Sequence, residues 1–178
     1  MTLLFWLSLA TLLYIYIGYP LLVWGLASTF GRAPRRRSLT PSVSLLIPAY
    51  NEEAHLEAKL RNSLALDYPR GRLEIVVASD GSTDRTNAIA ARFKAEGIRL
   101  IALRDNLGKS AMLSRIVPLL TGEIVVFSDA SSELEPDALR ELIPNFADPR
   151  VGCVSGLYRL KAAQGDLRGQ GEGLYWRY

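Results

Sequence analysis

The sequence predicts an α/β fold: a parallel sheet with helices on both faces, preceded by one transmembrane helix. Three observations predict it. The first 31 residues contain no Asp, Glu, Lys, Arg or His. After residue 42, short β-branched apolar runs alternate with longer amphipathic stretches. Polar or acidic residues stand directly after three of those runs, at the strand ends where α/β sheets bind ligands.

Residues 1–31 are the expected transmembrane helix. About 20 apolar residues cross a bilayer, so this run spans one with some tilt. Gly18 and Pro20 interrupt it, and both are tolerated in membrane helices. Phe5 and Trp6 near one end, with Trp24 and Phe30 near the other, are placed as interfacial anchors. A cleaved signal peptide would start with basic residues and have a shorter apolar core.

Arg32, Arg35, Arg36 and Arg37 then open a basic linker over 32–42. The positive-inside rule puts the N-terminus outside and everything after Arg32 in the cytoplasm, at the inner or plasma membrane. The arginines also suit anionic lipid head groups. They account for the net charge of +3, which comes from 21 Lys and Arg against 18 Asp and Glu. Without those four, 17 basic side chains face 18 acidic ones, a net of −1. No basic surface is left to follow a phosphate backbone, which argues against nucleic acid as a partner. A chain 49% hydrophobic and 22% charged is not disordered. One cysteine cannot build an internal disulfide framework.

Residues 43–178 are the expected soluble domain. Strands are predicted over 43–47, 73–78, 98–102, 123–128 and 151–155, each short and nearly continuous in apolar character, as buried parallel strands are. Helices are predicted between them. The first covers 52–66, with Asn51 as its N-cap. The second covers 84–96 and ends at Gly97. The third covers 108–120, with Pro118 distorting its last turn. The fourth covers 136–146 and starts on Pro136. Alternation of this kind gives a parallel sheet with right-handed crossovers. His55 falls on the polar face of the first helix, and Cys153 is expected to be a small buried residue of the fifth strand.

The strand ends carry the chemistry. The first leads into Pro48-Ala49-Tyr50-Asn51-Glu52, the second into Asp80-Gly81-Ser82-Thr83-Asp84, and the fourth into Asp129-Ala130-Ser131. No Gly-x-Gly-x-x-Gly turn follows any strand, which removes the dinucleotide reading. Gly108-Lys109-Ser110 resembles the tail of a phosphate-binding loop, but Leu103 stands where that loop needs glycine, which removes the ATPase reading. Lys109 is left either as a point charge for a phosphate or as a solvated helix-start residue. Asp80 and Asp129 follow buried aliphatic runs, a costly place for carboxylates unless they are paired, hydrogen-bonded or on a metal. A hard cation could bridge such an acid to a diphosphate. Taken singly, a turn at Asp80-Gly81 and a loop cap at Asp129 are the better readings.

Together the segments VSLLIPAYNEE, LEIVVASDGSTD, NLGKSAML and VVFSDASSELEPDAL resemble the processive-type, family 2 inverting glycosyltransferases. Their nucleotide-sugar-binding fold, called GT-A, is Rossmann-like. The resemblance covers 43–178, and the preceding helix suits the membrane-anchored, polysaccharide-synthase-like branch. It implies that Pro48, Ala49, Tyr50, Asn51 and Glu52 frame the nucleotide and that Asp80 contacts a uracil-type base. It further implies that Gly108 and Lys109 approach the nucleotide sugar. Asp129 matches the first acid of the Asp-x-Asp motif, which holds Mg²⁺ or Mn²⁺ and the diphosphate. Ser131 stands where many members have the second acid, and could hold a metal-bound water.

The implied activity is transfer of a hexosyl or N-acetylhexosaminyl group, with inversion, from a nucleotide sugar (a UDP-sugar first) to a saccharide or lipid-linked acceptor. The family's later acidic motif supplies the catalytic base. Neither it nor the Gln/Arg-x-x-Arg-Trp motif is found before Tyr178, so no catalytic residue is assigned, and Glu172 is not favoured as the base. Tyr175 and Trp176 suit packing or interface anchoring better than stacking on a sugar. The expectation is a donor-binding half, truncated at its C-terminal end and not competent for turnover alone. The alternative is a non-catalytic nucleotide-sugar-binding remnant or half of a split enzyme.

Overall fold

A computed structural model describes residues 1–157 of the chain. Glu172, Tyr175 and Trp176 therefore lie outside the described residues. The chain divides into two compact units, Met1–Arg35 and a second from Arg36 onward.

The first unit is one helix, α1 (Thr2–Phe30), long and apolar enough to cross a membrane by length and composition. It contains a widened π-helical turn, Tyr14–Gly18, immediately before Pro20 at the start of the second α-helical segment. Proline has no N–H to donate and crowds the carbonyl four residues back, so a local change of winding beside it has a clear cause.

The second unit is built on four strands: β1 (Val43–Ala49), β2 (Leu73–Asp80), β3 (Ile98–Leu103) and β4 (Ile124–Phe127). They form one parallel sheet in the order β3-β2-β1-β4. The helices are α2 (Leu56–Leu64), α3 (Thr86–Arg92), α4 (Lys109–Ile116) and α5 (Ala138–Leu142). The last three each run on into a 3₁₀ turn, and Pro118 lies in the one after α4. Gly97 takes the left-handed conformation (φ 92°) that ends the α3 segment.

Residue alternation sorts the sheet's two faces. Val43, Leu45 and Ile47 of β1 join Ile75 and Val77 of β2 in one core, closed by Leu56 and Leu60 of α2, Ile89 of α3 and Leu139 of α5. Leu46, Val76 and Ala78 point the other way, against Met112 and Ile116 of α4. Burying each of those two α4 side chains contributes about 2 kcal/mol. The chain steps from β1 to β2 to β3 with helices on one face, then returns past β1 to β4 with α4 on the other. A right-handed crossover changes face when it changes direction. The reversal leaves a switch point between β1 and β4, where such sheets open a ligand crevice.

Three expectations are corrected. Residues 151–157 form no strand. Val151 N–H is already taken in a tight turn by the Asp148 carbonyl (2.9 Å), and Gly152 and Gly156 leave the run little side chain to bury. Cys153 is accordingly exposed, not buried. The first helix starts at Leu56, not at Glu52. Asn51 is therefore not its N-cap. Its backbone is left-handed (φ 53°), which Asn tolerates because its short polar side chain can bond locally. Finally, Asp137 rather than Pro136 flanks the start of α5, and the Pro136 carbonyl accepts the Asp67 N–H at 2.8 Å.

Candidate functional site

The carboxyl ends of β1, β2 and β4 and the start of α4 enclose a cleft of about 430 Å³. Pro48, Ala49, Tyr50, Glu52, Asp80, Gly108, Lys109, Asp129 and Ser131 all line it. Of the sequence-predicted set, Asn51 alone does not.

Asn51 instead joins two loops. Its Oδ1 accepts the Thr83 N–H (2.9 Å), and its own N–H donates to Ser82 Oγ (3.2 Å). Glu52 N–H donates to Thr86 Oγ1 (2.8 Å) and Glu53 N–H to Asp84 Oδ2 (3.1 Å). Glu53 returns the exchange by accepting the Arg85 N–H (3.0 Å). The loops after β1 and β2 thus satisfy each other's backbone donors. Asp84 belongs to that exchange and not to the cleft lining.

Asp80 ends β2 and is 4% exposed. Its two oxygens accept the backbone N–H groups of Leu107 and Gly108, both at 2.9 Å. A carboxylate so bonded is stable despite burial. The loop before α4 is drawn against the end of β2 as a result. Gly81 makes this possible: its φ is 69°, and a Cβ there would lie 2.6 Å from the Asn106 nitrogen.

Across the cleft, Lys109 Nζ donates to Asp129 Oδ1 at 2.7 Å. Both side chains are more than half exposed, so the pair is weak and can open. Among the described residues no three His, Cys, Asp or Glu side chains cluster to hold a metal unaided. Asp129 and Ser131, two residues apart, both line the cleft. One carboxylate completed by phosphate oxygens and water is an ordinary way to bind Mg²⁺, so these residues fit such an ion.

Sequence reasoning missed Lys59, Asn106, Met112 and Ala130. The last three line the cleft, and Asn106 Oδ1 accepts the Gly108 N–H (3.1 Å). Lys59 lies behind the cleft wall, 1% exposed. It donates to Ser128 Oγ (2.6 Å) and to the Ser132 carbonyl (2.8 Å). Burial pulls its pKa down to about 8, while the charges of Asp129 and Glu133 work in the opposite direction. The spacing held the signal: Leu56, Lys59, Leu60 and Ser63 are the buried positions of α2, and the three- and four-residue steps put Lys59 on the apolar stripe.

The sequence profile of Glycosyl transferase family 2 matches residues 44–177. The chain belongs to glycosyltransferase family 2. It is 37% identical over 118 residues to the beta-monoglucosyldiacylglycerol synthase of Nostoc sp., covering 64% of this chain and 25% of that protein. It is 31% identical over 121 residues to the poly-beta-1,6-N-acetyl-D-glucosamine synthase of Staphylococcus aureus, covering 67% and 29%. The chain thus spans about a quarter of the length of these relatives. Among solved structures, it resembles the mannosyltransferase PcManGT of Pyrobaculum calidifontis in complex with GDP-Man and Mn²⁺. The TM-score is 0.71 at 31% identity, over 83% of this chain and 46% of that one. S. aureus TarS 1-349 in complex with UDP-GlcNAc follows at TM-score 0.53 and 25% identity, over 56% and 29%. The Rossmann-like, GT-A class of fold expected from the motifs is the one found.

Proposed function

We propose that this chain is the donor-binding part of a membrane-anchored glycosyltransferase that takes a nucleotide sugar with a divalent ion. One observation carries the proposal: Asp80 and Asp129, from two separate strand ends, and Lys109, from the start of α4, meet in one cleft at the sheet's switch point. The relatives solved with GDP-Man and Mn²⁺ or with UDP-GlcNAc support it. Tyr50 and the joined loops would frame the nucleotide. Lys109 would leave Asp129 for the diphosphate as a point charge. Asp129, with Ser131 beside it, would hold Mg²⁺ or Mn²⁺, which offsets charge on the departing diphosphate.

In the reaction, the acceptor oxygen bonds to the anomeric carbon as the bond from that carbon to the diphosphate oxygen breaks. Configuration inverts, the electron pair leaves with the nucleoside diphosphate, and the acceptor's proton passes to a base. No described residue is assigned that base. The acceptor class is a lipid or a saccharide, which are the products named in the relatives. Helix α1 and the arginines after it would anchor the domain on the cytoplasmic face. A reporter fused after Ala33 is expected to read as cytoplasmic, and a signal from the outer side would overturn that topology.

The binding test is titration of the full chain in detergent with nucleotide sugars, with and without Mn²⁺. Asp129→Ala should abolish metal-dependent binding. Asp67→Ala, which loses only an exposed ion pair with Arg140 (2.9 Å), should retain it. Absence of metal-dependent binding of any nucleotide sugar by the unaltered chain would sink the proposal.

A further inference from the structure

Lys59 is a buried ionisable group that the donor chemistry leaves unused. It reaches from α2 under the turn that carries Asp129, and its two partners, Ser128 and Ser132, bracket that turn. The turn also closes on itself. Ser132 donates to the Asp129 carbonyl from both its N–H (3.1 Å) and its hydroxyl (2.9 Å). The Ser128 and Ser132 hydroxyls lie 3.2 Å apart. A buried ammonium is costly unless fully bonded, and here its bonds are spent on both ends of one four-residue step. Because Ser131 replaces the second acid, the orientation of a single carboxylate has to serve the site.

We propose that Lys59 is a positioning residue of the donor site, fixing the Ser128–Ser132 turn so that Asp129 faces the divalent ion and the donor diphosphate. The inference rests on the donor-binding reading above. Lys59 touches neither ligand; it acts through Ser128 and the Ser132 carbonyl.

The test uses the full chain in detergent, with UDP and GDP as probes, each titrated with Mn²⁺ and with EDTA. Bound Mn²⁺ is followed by its EPR signal, and folding by far-UV circular dichroism. Lys59→Met keeps the length and removes the charge. It should weaken Mn²⁺-dependent binding about 10- to 100-fold, the usual effect of removing a group behind a metal ligand. Binding in EDTA should be unchanged. Ser128→Ala should show the same split to a smaller degree. Equal loss under both conditions, or no loss under either, overturns the proposal. If Lys59→Met fails to fold, Ser128→Ala binding Mn²⁺ as tightly as the unaltered chain overturns it. Nucleotide binding by the unaltered chain that is indifferent to Mn²⁺ overturns the donor-site reading itself, and the role of Lys59 with it.

Discussion

Replacing Asp80 with Asn separates its charge from its shape. In the native chain the two carboxylate oxygens accept Leu107 N–H and Gly108 N–H at 2.9 Å each. An Asn side chain has one carbonyl oxygen to offer and turns its NH₂ toward the other donor. One charge-assisted bond is lost and one partly buried N–H faces the new NH₂ instead of an acceptor, a cost of about 2 kcal/mol after allowing for the easier burial of a neutral group. Asp80→Ala orphans the Leu107 amide and leaves the Gly108 amide only Asn106 Oδ1, and should cost about 3 kcal/mol. Urea unfolding followed by circular dichroism measures the loss as a lower midpoint at unchanged slope. Amide hydrogen exchange locates it: one of the two amides should exchange about 30-fold faster in Asp80→Asn, since each 1.4 kcal/mol is a factor of ten. In Asp80→Ala both should. If exchange at Leu107 and Gly108 and the urea midpoint are all unmoved, the carboxylate is not what holds the loop, and the cleft wall needs another explanation.

Gly81→Ala should destabilise by about 3 kcal/mol, from a left-handed backbone and a forced shift of the Asp105–Asn106 backbone. Gly71→Ala, where an added Cβ meets nothing within 4 Å, should stay within about 0.5 kcal/mol by the same urea titration. Glu74 gives the pH dependence. Its burial opposes ionisation, but hydrogen bonds from Ser44, Thr121 and Arg99 outweigh burial and hold its pKa below the usual carboxylate value of 4.5. The stability it adds is present above that value and is lost as pH falls through the lower, folded value. Glu74→Gln should therefore flatten the fall of the melting temperature on the acid side of pH 4.5. An unchanged slope would contradict the assignment.

Much of this was legible before any coordinates. The strand cores were, because buried parallel strands are apolar along their whole length and β-branched residues mark them, as in Leu73–Asp80. Nine cleft residues were legible: the strand-end rule pointed to the segments after β1, β2 and β4, and the resemblance to the family added Gly108 and Lys109. What escaped depends on partners distant in sequence. The backbone of Asn51 is decided by Thr83, a residue 32 positions on. The spacing sets Lys59 on the buried stripe of its helix, but its partner Ser128, 69 positions away, is supplied only by the fold. The fifth strand failed for a local reason: two glycines and the Asp148 turn outweighed a short apolar run. Asp129 was found by its place after a strand and Ser131 by the family's Asp-x-Asp motif, while the Lys109 contact that occupies Asp129 was not foreseen.

The mutual bonding of the loops after β1 and β2 bears on how a ligand is chosen. Loops that order themselves only around a ligand charge that ordering against affinity. Here Asn51, Glu52 and Glu53 are tied to Ser82, Thr86 and Asp84 by folding alone. The loop that carries Tyr50 and Glu52 into the cleft is therefore tied down before any ligand arrives. Discrimination between bases would then be a matter of fit to a preset contour, with any adaptive movement left to the opposite wall, where the exposed Lys109–Asp129 pair can part.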